Sequence, residues 1–99
     1  MAKAKKSGRY VVVRTYSAGV HVGVIVEQSE GGKRVVLADA RRIWHWKGAN
    51  TLHEIALRGV GPGSRISDPV ARIELTEAIE VIDCAGTGEK SLREASWLA

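Results

Sequence analysis

Twenty residues, Ala40 to Gly59, hold two of the three tryptophans, two of the three histidines and four of the fifteen basic residues of the chain. The first part of this stretch alternates as a strand does. Arg42, Trp44 and Trp46 fall on one side, and Arg41, Ile43, His45 and Lys47 on the other. Guanidinium groups clamp phosphate or carboxylate oxygens, and indole faces stack on planar rings. Side by side they suit a ligand that is both anionic and planar. Adjacent arginines on alternating positions reach both faces of a strand, so Arg41 and Arg42 are the hardest to dismiss as scaffold. As exposed arginines they are expected to add little stability. For Trp44 and Trp46 the plainer reading is core packing. The two are expected to differ in depth, one beneath the helix that follows and one nearer the rim.

A second cluster, Arg14, Tyr16, Ser17 and His21, surrounds the first turn. Hydroxyls and a turn backbone beside an arginine can bind a phosphate or a sugar edge. The same residues also read as a polar hairpin tip with Arg14 stacked on Tyr10 or Tyr16. The candidate ligand residues are therefore Arg14, Arg41, Arg42 and Lys47 for phosphate and Trp44, Trp46 and Tyr16 for stacking, with Ser17 and His21 beside them.

Catalytic patterns fail on spacing. His53-Glu54 opens like a zinc-protease helix, but Leu57 stands where the second histidine belongs. Gly86-Thr-Gly-Glu-Lys-Ser91 has Glu89 where a phosphate loop needs glycine. Gly59, Gly61 and Gly63 lack the strand-then-helix setting of a dinucleotide fingerprint. The single Cys84 makes no multi-cysteine zinc site and no intramolecular disulfide, which fits a reducing cytoplasm. It pairs with His21 or His53 only if the fold joins them, and reads more simply as a small core residue. No enzymatic activity, metal or cofactor is expected.

The elements that must position these residues are mostly strands. Tyr10 to Tyr16 is rich in β-branched and aromatic residues. Ser17-Ala18-Gly19 is a short loop, and Val20 to Val26 alternates valines with His21, Gly23 and Ile25. Lys33 to Ala38 is a third strand, and Asp39-Ala40 a bend or bulge before the strand Arg41 to Lys47. Four strands on short turns predict an antiparallel meander. Thr51-Leu-His-Glu54 is a capping-box pattern that opens a helix over Thr51–Arg58, with Gly59 as its stop. Val60 to Arg65 is a loop by composition. Val70 to Leu75 and Ala78 to Cys84 are further strands. Ala85-Gly-Thr-Gly88 reads as a break. Glu89 to Trp97 reads as a terminal helix with Leu92, Ala95 and Ser96 inward and Trp97 as its anchor. The predicted class is α+β: one small domain, mainly an antiparallel sheet or small barrel of about five to six strands, with two short helices.

With 99 residues, 44 % of them apolar, the chain makes one domain, residues 10–99, behind a basic flexible tail, residues 1–9. A core of this size leaves a small stability margin, so a homo-oligomer is expected. No apolar run reaches the ~20 residues needed to span a bilayer, and no membrane partner is expected. The basic start lacks the apolar run and cleavage site of a secretory signal. The net charge of +4 hides an asymmetry: residues 1–65 carry twelve Lys/Arg against four Asp/Glu, residues 66–99 three against seven. Either the first part offers an anion-binding face, or the two parts pair their charges within a chain or head to tail.

Two segments carry a resemblance: Tyr10 to Gly23, and Ala40 to Leu57 with its Arg-Arg-Ile-Trp-His-Trp-Lys-Gly-Ala run. They resemble a family of small uncharacterised proteins of tailed bacteriophages and prophages. The similarity continues through Ser64 to Pro69 and Leu75 to Glu80, and so covers most of the chain. The resemblance implies a phage-encoded accessory protein in the host bacterial cytoplasm and transfers no catalytic residue. The function expected is a non-enzymatic binding protein that sequesters an anionic nucleotide-like ligand, a host defence signal. The alternatives are a nucleic-acid-binding accessory protein, which would use the same surface and the basic tail, and a virion or assembly protein.

Overall fold

Runs of β-branched residues pair into one curled sheet, and two short helices cover its outer face. The computed structural model describes residues 9–29 and 31–95. In order, the chain runs β1 (Tyr10–Thr15), β2 (Val20–Gln28), β3 (Val35–His45), α1 (Leu52–Arg58), β4 (Arg65–Ile66), β5 (Val70–Leu75), β6 (Ala78–Asp83) and α2 (Gly86–Glu94). The sheet has six strands in the order β4-β3-β2-β1-β6, with β5 also paired to β3, and every pairing is antiparallel. The predicted α+β class holds. The basic tail before Arg9, and Ser96 and Trp97 of the expected terminal helix, lie outside the described residues. No described helix is long and apolar enough to cross a membrane.

β1 lies between β2 and β6, so both of its edges are paired, and each of its faces packs into a core. Tyr10 and Val12 pack with Val22, Ile43, Ile55, Ile66 and Leu92 in a core under the helices. Val11 and Val13 pack with Val35, Leu37, Ala40, Leu75 and Ala78 in a second core. The second core exists because the sheet wraps round on itself. β5 sits on β3 and β6 on β1, yet only Thr76 and Glu77 separate them. Ala78 N donates to Lys33 O at 2.9 Å and Tyr16 N to Glu77 O at 3.0 Å, so this short link is bonded to both sides of the sheet.

The two strands predicted at Lys33–Ala38 and Arg41–Lys47 are one strand, β3, with a bulge. Val22 pairs with Arg41 and Val24 with Ala38, so Gly23 alone faces Asp39 and Ala40. Asp39 carries the bulge at φ 50°, a backbone that aspartate tolerates better than most residues. The bulge shifts the alternation by one residue. Leu37 and Ala40 share the inner core, while Arg41 and Ile43 turn to the helical face. Gly23 leaves room for the bulge, since a Cβ there would lie 2.9 Å from Ala38 O.

The helix α1 forms as its capping pattern predicts. The Glu54 carboxylate accepts from Thr51 N at 2.9 Å and Asn50 N at 2.5 Å, and these two bonds hold it below the usual carboxylate range. The second helix begins earlier than its sequence suggests. Gly86 to Gly88, read as a break, is the first turn of α2. Gly88 is required by contact: a Cβ there would lie 2.0 Å from Ala56 O, where the two helices touch. Gly86 has nothing within 4 Å of its would-be Cβ. Gly88→Ala should therefore cost about 1–3 kcal/mol through forced separation of the helices, while Gly86→Ala should be neutral or stabilise by up to ~1 kcal/mol. Urea unfolding of the two variants checks the contrast, and equal effects would refute the close-approach account.

Candidate functional site

The β1–β2 tip is ordered by side-chain bonds to its own backbone, two of which meet at one carbonyl. Thr15 Oγ1 donates to Gly19 O at 2.8 Å and accepts from Ala18 N at 2.8 Å. His21, 4 % exposed, directs Nε2 at Ala18 O at 2.9 Å; a carbonyl only accepts, so Nε2 carries the proton. Arg42 Nη2 donates to the same Ala18 O. Burial pushes the His21 pKa down, against the opposing pull of its bond to Ala18, and the neighbouring Arg42 charge lowers it further. Outside this knot, Tyr16 is 80 % exposed and Ser17 Oγ donates to the Glu77 carboxylate.

Arg42 links the tip to the end of β3. Ile43 faces Ile66 of β4, and both are buried. Their neighbours Arg42, Trp44 and Arg65 are exposed, and the pairing shifts register between Ile43 and His45, which sets His45 across from Arg65. Trp44 is 64 % exposed, with the His45 ring tilted beside it at a centroid distance of 6.2 Å. Arg42, Trp44, His45 and Arg65 thus make a basic, aromatic ridge that ends at the tip bearing Tyr16. Arg65 was assigned to a loop in the sequence; Ile66, apolar and next to it, was the signal that a strand pair would place it here.

Other candidates lie elsewhere. Arg41 is 7 % exposed, which corrects the expectation of an open surface position. Its Nε donates to Ser67 O at 2.7 Å, Nη1 to Leu92 O at 2.8 Å and Arg93 O at 3.0 Å, and Nη2 to Ala95 O at 2.5 Å. The last carbonyls of a helix lack intrahelical partners, and a buried cation satisfies them. Arg14 faces Glu80 of β6 at 3.4 Å. The ring stacked under an arginine is that of Tyr10, but the arginine is Arg93, at 4.5 Å, rather than Arg14. Trp46 and Trp44 do not share a side, because β3 ends at His45; Trp46 is half-buried against the helical core. Lys47 lies over the following loop, where a Cβ on Gly63 would sit 3.5 Å from its Nζ.

The charge asymmetry is met in part within the chain. Arg9 pairs with Asp83 at 2.9 Å, Arg14 with Glu80, and Arg34 with Glu74 at 2.5 Å. Each joins a cation of the first part to an acid of the last. Arg42, in contrast, meets a carbonyl. Cys84 is half-buried, and burial first, then Glu89 and Asp83, pushes its thiol up to about 12, so it stays protonated near neutrality.

Residues 8–92 match a family described as a domain of unknown function (DUF6948), and the chain belongs to that family. No curated protein and no solved structure matches it.

Removing the Arg41 side chain leaves four carbonyls without their donor. Arg41→Ala should lower stability by ~3 kcal/mol or more in urea unfolding; an unchanged midpoint would return Arg41 to the surface. His21 supplies a pH test. Its folded pKa lies below the unfolded value near 6.5, so the unfolded chain takes up the proton first. Stability should be full above that value and fall as pH drops through it, levelling below the folded pKa. Unfolding free energies measured between pH 5 and 8 should lose this slope in His21→Gln. A parent stability that rises toward pH 5 would contradict the assignment.

Proposed function

We propose that this member of the DUF6948 family is a non-enzymatic binding protein whose ligand is a single nucleic-acid strand laid across the Arg42–Trp44–Arg65 ridge. The observation that carries this reading is Trp44, 64 % exposed where the β3–β4 pairing shifts register, with Arg42 before it on β3 and Arg65 across from its neighbour His45. An indole left mostly open to solvent presents a large flat face on which a planar ring can stack. A base stacks on an indole whatever its sequence, and guanidiniums hold the flanking phosphates. Tyr16, past Arg42 on the exposed tip, offers a second platform. Sequestering one nucleotide requires a site that encloses most of the ligand. The ridge is open, which favours a strand over a captured mononucleotide. The resemblance to phage proteins supports an accessory role inside an infected bacterium.

Fluorescence anisotropy with a labelled oligonucleotide tests this. Trp44→Ala should stay folded and lose ~1–3 kcal/mol of binding. With two to three phosphates held, log K should fall with log salt at a slope of about −1.5 to −2. If Trp44→Ala and Arg65→Ala both bind as the parent does, the ridge is not the site. Tight binding of a mononucleotide by a dimer, with no oligonucleotide affinity, would restore the sequestration reading.

A further inference from the structure

A concavity lies on the helical side, away from the ridge, where Arg41 rather than Arg42 points. It is a groove of about 330 Å³ between the end of α2 and the β3 bulge, lined by Tyr10, Asp39, Arg41, Pro69 and Arg93. Its donors outnumber their acceptors. Tyr10 is 3 % exposed, and its hydroxyl is buried without a hydrogen-bond partner. Such a group costs roughly 1–3 kcal/mol in a folded protein and calls for an explanation. Arg41 has five N–H donors and uses four on carbonyls, which leaves one on Nη2. Arg93 binds Glu89 through Nε at 2.8 Å and lays its guanidinium 4.5 Å from the centre of the Tyr10 ring. Its terminal nitrogens face no carboxylate among the described residues. Asp39 is the one carboxylate in the lining.

We propose that this groove binds a small oxyanion, a carboxylate or phosphate group, whose oxygens accept from the Tyr10 hydroxyl and the Arg93 guanidinium. Arg93 is the cover: exposed itself, it lies over the buried Tyr10 ring, and its movement admits the anion to the hydroxyl. Asp39 opposes a bare anion and sets how weakly the empty groove holds one.

The test is a proton–nitrogen NMR titration of the full chain with inorganic phosphate and, separately, acetate, at constant ionic strength. Saturable shifts are expected at the amides of Tyr10, Asp39, Arg41 and Arg93, and the tighter of the two salts identifies the headgroup. Tyr10→Phe should melt above the parent without ligand, because it removes an unpartnered hydroxyl, and should bind at least tenfold more weakly. Asp39→Asn, which tolerates the same backbone, should bind several-fold more tightly. Three results would overturn the proposal: no saturable shifts at these amides, equal affinity in Tyr10→Phe, or a Tyr10→Phe variant that melts lower because the hydroxyl holds an internal water. None of these outcomes depends on Trp44 or on nucleic-acid binding.

Discussion

The guanidinium of Arg41 is the contact on which the layers of this domain depend. It leaves β3 on the helical face, reaches the last carbonyls of α2, and bonds Ser67 at the end of β4. One side chain therefore fixes where the terminal helix ends relative to the sheet. α2 in turn buries Leu92 over the core that contains Tyr10, Val12 and Ile43. A buried cation is tolerable only when its donors are satisfied. The carbonyls of a helix end, which no further turn of helix can use, supply that satisfaction. Desolvation and the helix's open end each resolve the other's cost.

The bulge at Asp39 makes this contact possible. Without it, strict alternation would put Arg41 on the same face as Val35 and Leu37, inside the curl of the sheet. No helix end lies there to receive it. The single extra residue exchanges the faces of Arg41 and Arg42, and so separates a structural arginine from one at the surface. Gly23 across from the bulge and Asp39 within it are the two residues whose types allow the exchange.

Much of the fold was legible because β-branched runs and capping residues act locally. Val11 to Val13, the valines of β2 and the Thr51–Glu54 cap announce their elements without help from the rest of the chain. What was hidden depends on contacts distant in sequence. Gly88 reads as a helix breaker by propensity, yet it lies within α2 and is glycine because Ala56 O occupies the space a side chain would take. Arg41 and Arg42 are identical by type, and only the bulge tells them apart. Trp46 fell out of phase because β3 stops at His45. The pairing of Tyr10 with Arg93 joins the first strand to the last helix, and no local pattern reports it.

The ridge and the fold meet at Ala18. Its carbonyl accepts from His21, which is buried, and from Arg42, which belongs to the ridge. A neutral His21 lets one oxygen hold both. A proton on Nδ1 would place a second positive charge beside the Arg42 guanidinium, in a site that burial already makes unfavourable to charge. The pair would then relax by opening the tip or by turning Arg42 outward. Either movement would displace Arg42 relative to Trp44. A buried residue and an exposed one are thus joined through a single shared carbonyl.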